Sequence, residues 1–235
     1  MPDPVVLAGA ERQYRRGELD TLIAGFAAEL ADRGVRPGDR VALMSSNRPE
    51  FVIALYGIWR AGAAVVLLSS SWKRAEVEHA LALTAPTHAV GDQLLLAELM
   101  PTLGLDEPFA PLSEPAGAVP DPDSDAVFVF SSGTTGMPKA VRHTHASFAT
   151  AVEHWGRALA LGPTDRLQIA TPPSHILGLL NIATVLDRGG YLRLHRRFDI
   201  DTLLAHIGID GITVEMAVAP IALAIASHPD LETFD

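Results

Sequence analysis

The sequence predicts an α/β fold in which a mostly parallel sheet is covered by helices on both faces. Short apolar runs of strand length, such as residues 63–68, alternate with segments in which apolar residues recur at helical spacing. Strands of a parallel sheet are buried on both faces, so they are continuously apolar, as these runs are. The alternation of such strands with helices is typical of α/β proteins.

The elements can be placed in order along the chain. A short hairpin over residues 5–14 turns at Gly9, and the helix after it ends at Gly34, where a C-terminal glycine cap belongs. Asn47 is expected to cap the helix over residues 50–61, with Pro49 in its first turn. The other strands are expected at residues 40–46, 63–68, 88–90, 166–170, 191–194 and 213–218, and the other helices at residues 73–83, 94–100, 147–161, 176–186, 201–207 and 220–227.

Residues 101–125 separate two α/β segments. Six prolines fall in this stretch, with several acids and few large apolar groups, which is typical of a loop or linker. We therefore expect a first α/β segment over residues 1–100, a linker over residues 101–125, a β-hairpin over residues 126–145 and a second α/β segment over residues 146–235.

The composition excludes several classes of function. The formal charge of −10 argues against nucleic acid as a partner, because such binding requires neutralisation of phosphates by Lys and Arg. The absence of cysteine excludes disulfides, thiolate zinc sites and a cysteine nucleophile. The first residues lack a signal-peptide core, so the cytoplasm is the expected location. Residues 51–72 are interrupted by Arg60 and are expected as a buried helix and strand, not a transmembrane segment.

A Ser/Thr/Gly-rich loop follows the apolar run at residues 127–130. Its glycines allow close approach of the backbone to a ligand, and successive N–H groups in such a turn form an anion site. The loop lacks the Walker A spacing, since Met137 and Pro138 separate Gly136 from the lysine. The alternative is a surface turn without a ligand. The residues predicted to bind polyphosphate are Ser131, Ser132, Gly133, Thr134, Thr135, Gly136 and Lys139.

Histidines and arginines provide further candidates. His175 follows a strand and a double proline, which puts it at the carboxyl edge of the sheet where ligands bind; the alternative is a histidine that fixes the loop through backbone hydrogen bonds. His143 and His145 have spacing that metal ligands sometimes show, but no nearby carboxylate completes a set, so no metal site is predicted. The arginines at 188, 193, 196 and 197 form a local basic cluster, interpreted as a solvated surface, with a CoA phosphate as the alternative partner.

The string from Ser132 to Lys139, SGTTGMPK, resembles the phosphate-binding motif of the adenylate-forming (AMP-binding) superfamily, which includes acyl-CoA synthetases, luciferases and non-ribosomal adenylation domains. Ala140 stands where that family has glycine. Residues 33–63, 172–179, 189–199 and 218–230 resemble further family segments in the same order. The resemblance is to the acyl-CoA synthetase or fatty-acid–CoA ligase type, and it implies a partial large N-terminal domain of the adenylate-forming fold.

The resemblance implies a function for the site. Such enzymes use ATP, with Mg²⁺, to convert a carboxylic acid to an acyl-adenylate, and then transfer the acyl group to CoA. His175 and Gly178 would line the acyl pocket. Because residues 172–179 contain no aspartate to pair with an ammonium group, an uncharged fatty or aryl acid is expected.

The resemblance also implies parts that this chain does not contain. The family's catalytic glutamate and lysine, and its C-terminal lid domain, would lie beyond residue 235, so the chain alone is expected to bind but not to turn over. A severed core would expose apolar surface and favour self-association. The alternative is a stand-alone, non-catalytic domain that binds a nucleotide or acyl group or serves as an interaction module, without such a patch.

Overall fold

The computed structural model describes residues 3–106, 109–112, 120–131 and 136–233. Its strands are β1 (Val5–Ala8), β2 (Gln13–Arg15), β3 (Arg40–Met44), β4 (Ala64–Leu67), β5 (His88–Gly91), β6 (Thr102–Gly104), β7 (Asp125–Ser131), β8 (Lys139–Thr144), β9 (Arg166–Ile169), β10 (Tyr191–Leu194) and β11 (Val214–Glu215). Its α-helices are α1 (Arg16–Asp32), α2 (Pro49–Arg60), α3 (Arg74–Thr84), α4 (Leu94–Leu99), α5 (His145–Ala158), α6 (Ile176–Asp187), α7 (Ile200–Asp210) and α8 (Ala219–Ala226).

The described strands form two sheets, each parallel except at one edge. The six-stranded sheet has the order β6-β5-β3-β4-β7-β8, and the five-stranded sheet has the order β11-β9-β10-β1-β2. The antiparallel pairs among them are β7 with β8 and β1 with β2. The predicted α/β class and the two predicted hairpins are confirmed. The strands, however, are divided between two sheets, whereas a single sheet was expected from the sequence.

The five-stranded sheet joins the two ends of the chain. β1 pairs in parallel with β10, so that Leu7 lies opposite Leu192. The two α/β segments predicted on either side of residues 101–125 therefore share this sheet. The stretch expected as a linker also contributes a strand, because β6 pairs with β5 at an edge of the six-stranded sheet.

One large apolar cluster connects the two sheets. It contains Leu7 and Leu192 from the five-stranded sheet, Val41 and Val65 from the six-stranded sheet, and Phe51 from α2. Helix α2 is buried over most of its circumference, as predicted from its nearly continuous apolar sequence. Residues 51–72 thus form α2 and β4, and no described helix has both the length and the apolar character to cross a membrane.

Two predicted helix ends are confirmed and one predicted cap is wrong. Gly34 has φ +95°, a left-handed conformation that favours glycine, directly after α1. Helix α2 begins at Pro49, as expected, but its N-cap is Arg48 in extended conformation. Asn47 lies outside the helix, and its side chain makes contacts on the other sheet that are described below.

Smaller differences concern the lengths of elements. Helix α5 ends at Ala158, before the predicted residue 161, because Ala160 takes a left-handed φ of +53°. The strand expected over residues 213–218 is reduced to two residues, β11, where its pairing with β9 stops. Short edge strands are the elements that apolar periodicity identifies least well, because few of their residues are buried.

Candidate active site

The predicted phosphate loop lies at the end of the β7–β8 hairpin. The hairpin register places Phe130 opposite Ala140 and Ser131 opposite Lys139, so the loop begins and ends at this last pair. The predicted residues Ser132, Gly133, Thr134 and Thr135 lie outside the described residues. Gly136 has φ +87°, which a residue with a side chain rarely adopts, and a Cβ there would meet no atom within 4 Å. Glycine is therefore needed at 136 for its backbone angle, not for space.

Helix α3 supports the strand that leaves the loop. The Nε2 atom of His79 lies 3.0 Å from the carbonyl oxygen of Pro138. Because a carbonyl oxygen only accepts hydrogen bonds, His79 is the donor. Pro138 is buried, whereas Lys139 is exposed. The contact fixes the backbone next to Lys139 and leaves its ammonium group in solvent.

A cleft of about 510 Å³ adjoins the loop. This volume is within the usual range for small-molecule sites, about 300–1,000 Å³. The cleft lies at the carboxyl ends of β4, β7 and the segment after β9, which is where ligands bind in α/β sheets. It is lined by Leu67, Ser69, Ser71, Trp72, Glu76, Phe130, Ser131, Gly136, Met137, Pro138, Pro172, Ser174, His175 and Ile176.

The cleft brings together predicted site residues that are distant in sequence. Ser131 and Gly136 lie on one wall and His175 lies on another. Lys139 is not among the described residues that line the cleft. It pairs across the hairpin with Ser131, which does line the cleft. The described part of the predicted phosphate site and the predicted acid site are therefore adjacent.

His175 lines the cleft and also fixes the loop that carries it. It is the N-cap of α6, and its Nδ1 atom accepts the backbone N–H of Leu177 at 3.3 Å. With Nδ1 as acceptor, the proton of the neutral imidazole is on Nε2, which makes Nε2–H a donor. The structure thus combines the two alternatives left open for this residue: a cleft wall and a loop anchor.

Gly178 has a packing role. It is buried in the first turn of α6 and is not among the described residues that line the cleft. A Cβ at this position would lie 2.4 Å from the carbonyl oxygen of Pro172. Glycine allows the first turn of α6 to pack directly against the loop, so Gly178 supports the wall that His175 forms.

The aromatic wall of the cleft was not predicted from the sequence. The rings of Trp72 and Phe130 pack edge to face, with centroids 5.1 Å apart. Ser69 and Ser71, which also line the cleft, come shortly after the end of β4. Their position at the carboxyl end of a buried strand was the signal that could have identified them.

The predicted basic cluster does not form one surface. Arg193 is buried in an ion pair with Asp210, and Arg188 donates to Glu153 at 2.8 Å between Nη2 and Oε2. Arg196 and Arg197 are exposed. The interpretation of all four arginines as a solvated cluster is therefore wrong for Arg193, because β10 directs it into the interior.

Within the described ranges, no three His, Asp, Glu or Cys side chains converge to hold a metal ion. His143 and His145 contact different aromatic rings, those of Phe148 and Trp59. Burial lowers the pKa of His145.

A glycine-containing hairpin loop beside a cleft at the carboxyl edges of parallel strands is an arrangement typical of α/β proteins that bind phosphorylated ligands. The sequence family described as "AMP-binding enzyme" matches residues 1–235, and the chain belongs to this family.

The relatives are CoA ligases. A feruloyl-CoA synthase from Amycolatopsis sp is 31% identical over 232 residues, which cover 93% of this chain and 46% of that protein. A 2-succinylbenzoate–CoA ligase from Bacillus subtilis is 29% identical over 226 residues, covering 92% of this chain and 46% of the ligase. The chain therefore spans about half the length of the curated relatives it matches.

Solved structures confirm the fold. The inhibitor-bound N-terminal domain of FACL13 from Mycobacterium tuberculosis aligns with a TM-score of 0.92 at 22% identity, covering all of this chain and 64% of that domain. The o-succinylbenzoate CoA synthetase of Bacillus subtilis in complex with ATP and magnesium aligns with a TM-score of 0.86 at 25% identity, covering 96% of this chain and 63% of that one. The predicted N-terminal adenylate-forming fold is thus confirmed.

Proposed function

We propose that this chain is the N-terminal, nucleotide-binding part of an ATP-dependent acyl-CoA synthetase. The observation that carries the proposal is the cleft in which Ser131 and Gly136 of the phosphate loop meet the His175 loop. Family membership and the CoA-ligase relatives support it. The cytoplasm, where ATP and CoA are available, is part of this proposal.

The proposed reaction has two steps. The carboxylate oxygen of the acid attacks the α-phosphorus of ATP, and pyrophosphate leaves, giving an acyl-adenylate. The thiol of CoA then attacks the acyl carbon, and AMP leaves. In the first step, the hydroxyl of Ser131 and the loop amides would hold the β- and γ-phosphates, and Lys139 would balance their charge.

The cleft supports an uncharged acid as substrate. Trp72, Phe130 and Ile176 give it apolar walls, and the Nε2–H of His175 is available as a donor for a carboxylate. The carboxylate among the described lining residues, Glu76, accepts the backbone N–H of Lys73 at 2.8 Å. Because Glu76 is used as a helix cap, it is a poor partner for an amino-acid ammonium group. We therefore propose a fatty or aryl acid.

The described residues do not form a binding site for magnesium. Because no three potential ligands converge among them, we assign no step to the metal and propose that ATP brings it, with protein ligands supplied elsewhere in the complete enzyme. The chain alone is expected to bind ATP without carboxylate-dependent ATP–pyrophosphate exchange. Detection of that exchange in a preparation free of other synthetases would contradict this expectation.

The apolar surface favours this proposal over a stand-alone binding module. Helix α8 consists almost entirely of apolar residues, yet of these only Ile221 is buried, and Leu223 is 69% exposed. An exposed apolar helix is typical of a surface that packs against further structure. We propose that the isolated chain self-associates through it, which sedimentation at increasing protein concentration would test.

Lys139→Ala tests the nucleotide site directly. Loss of a charge-assisted hydrogen bond, about 1.5–3 kcal/mol, should weaken ATP binding about tenfold to a hundredfold in isothermal titration calorimetry. Lys73→Ala is the matched control, because Lys73 is the only other lysine in the chain and does not line the described cleft. Equal affinities for wild type and Lys139→Ala, or no ATP binding by wild type, would contradict the proposal.

A further inference from the structure

Asn47 connects the two sheets through its side-chain amide. It comes shortly after β3 of the six-stranded sheet, and its Nδ2 atom donates to the carbonyl oxygens of Ile169 and His195, each at 2.9 Å. Those carbonyls lie at the carboxyl ends of β9 and β10 in the five-stranded sheet. Asn47 is only 6% exposed, so water does not compete for these hydrogen bonds.

The Asn47 amide completes the last hydrogen bonds between β9 and β10. The carbonyl oxygen of Ile169 also accepts the backbone N–H of His195 at 2.9 Å. Both acceptor positions of the Ile169 carbonyl are then used. The Asn47 Oδ1 atom has no hydrogen-bond partner in the described part of the chain, so the amide is held by its two N–H groups.

The end of β9 is directly linked to the cleft. Residues 170–175 lead from Ile169 to His175, and Pro172 and Pro173 within them have fixed φ angles. The backbone N–H of His175 donates to the carbonyl of Pro172 at 3.1 Å, and Gly178 packs against the same carbonyl. A segment this short and restricted transmits the position of Ile169 to the His175 ring.

We propose that Asn47 is a positioning residue that holds the His175 wall of the cleft in place relative to the phosphate loop. The phosphate loop belongs to the six-stranded sheet, through β7 and β8, and the His175 loop extends from the five-stranded sheet. Asn47 is a hydrogen-bonded link between these two sheets at the edge where the cleft lies. The expected effect of Asn47 on ATP binding rests on the proposed function, whereas its expected effect on the His175 loop does not.

Two substitutions separate the hydrogen bonds from the volume of the side chain. Asn47→Ala removes both donors. Asn47→Asp keeps the shape but places acceptor-only oxygens against two carbonyl oxygens, so it should be more disruptive than alanine. Should Asn47→Ala fail to fold, Asn47→Ser, which keeps one short donor, takes its place with a smaller expected effect.

Asn181→Ala is the matched control. Asn181 is fully buried on α6, and its Oδ1 accepts the indole N–H of Trp155 on α5 at 2.8 Å. Asn181→Ala therefore removes a buried side-chain amide hydrogen bond whose partner lies on α5, not at the ends of β9 and β10. A merely structural effect of Asn47 would resemble that of Asn181→Ala.

Hydrogen exchange of a peptide covering residues 170–178 is the first measurement. With two bonds of about 0.5–1.5 kcal/mol each lost, Asn47→Ala should accelerate exchange roughly tenfold in this peptide, and Asn181→Ala should not. Equal behaviour of the two variants would overturn the inference. ATP affinity is the second measurement, with roughly tenfold weakening expected for Asn47→Ala alone. If wild type bound no ATP, the proposed function would fail, and the exchange data would still decide the role of Asn47.

Discussion

The two sheets of this protein are assembled differently. The six-stranded sheet is built from one continuous stretch of sequence, between β3 and β8, and its last two strands are a local hairpin. The five-stranded sheet takes β1 and β2 from the beginning of the chain and β9, β10 and β11 from its end. It can form only after two parts of the chain separated by more than 150 residues have come together, because Leu7 pairs with Leu192.

The interiors of the two sheets differ as well. One face of the six-stranded sheet is covered by an apolar cluster that includes Ala42, Val66 and Leu96. Strands of the five-stranded sheet instead carry two buried polar side chains, Gln168 and Arg193. Apolar burial is therefore sufficient in the sheet built from one stretch of the chain, whereas the long-range sheet also uses specific polar partners.

The buried polar side chains of the five-stranded sheet have specific hydrogen-bond partners. The Arg193 guanidinium donates through Nε and Nη2 to the two carboxylate oxygens of Asp210 on α7, and through Nη1 to the carbonyl of Gly9 at 2.6 Å. His195 contacts Gln168, with 2.8 Å between Nε2 and Oε1. Burial would raise the pKa of Asp210, but the hydrogen bonds from Arg193 lower it. The carboxylate therefore stays charged.

The largest effect is expected from Arg193→Leu. This substitution leaves Asp210 buried without its main partner and should reduce the free energy of unfolding by about 3–5 kcal/mol. Arg74→Leu is the control, because Arg74 forms its ion pair with Glu98 on the exposed surface and should change stability by about 1 kcal/mol or less. Urea unfolding measures both. Similar losses for the two variants would remove the proposed difference between the sheets.

The two sheets should also differ in their tolerance to conservative replacement. Leu43 is fully buried in β3, and Leu43→Met preserves volume, so it should cost less than about 1.5 kcal/mol. Arg193→Lys also preserves charge, yet it loses the two-pronged contact with Asp210 and should cost more than Leu43→Met. A larger loss for Leu43→Met in urea unfolding would show that the six-stranded sheet is the more demanding one.

A pH dependence of stability is expected from Glu215 at the edge of the five-stranded sheet. Burial raises the pKa of Glu215 from 4.5 to about 7. Between these values the folded chain holds a proton that the unfolded chain has released, so this group lowers stability as pH rises through the window. Glutamine does not titrate, so Glu215→Gln should be more stable relative to wild type at pH 8 than at pH 5.

The pH dependence of the unfolding free energy has to be compared between wild type and variant, because His195 also contributes to it. Burial lowers the pKa of His195 from 6.5 to about 4. The unfolded chain therefore binds more protons between these values, and this group raises stability as pH rises. Because wild type and Glu215→Gln share His195, its contribution cancels in the difference of unfolding free energies. The exposed Glu11→Gln variant is the control, and an identical pH trend for both variants would contradict the role of Glu215.

Much of the site could be predicted from the sequence. The glycine-containing loop was placed on the correct hairpin, because the apolar run before it and the short strand after it are both local patterns. His175 was placed at the carboxyl edge of a strand for the same reason. Trp72 was missed, because nothing in its local sequence indicates that its ring faces Phe130, 58 residues later in the chain.

The error at Asn47 shows the limit most clearly. Locally, an asparagine before a proline-led helix is a typical N-cap, and the sequence offers no other role for it. In the structure its amide donates hydrogen bonds to the carbonyl oxygens of Ile169 and His195 in the other sheet, and Arg48 is the N-cap. Capping would use the Oδ1 atom of Asn47 as an acceptor, whereas the long-range hydrogen bonds use its Nδ2 atom as a donor. The side chain adopts one orientation, which depends on the position of the other sheet.

The α/β class, the order of most helices and strands, and the loop with its lysine follow from local sequence, because apolar periodicity, glycine and proline act over a few residues. The division of the strands into two sheets, the burial of Arg193 and the position of the His175 loop opposite the phosphate-loop hairpin are seen only in the folded chain. These features depend on contacts between residues far apart in the chain. Such contacts are selected by the packing and hydrogen bonding of the whole molecule, which no local pattern records.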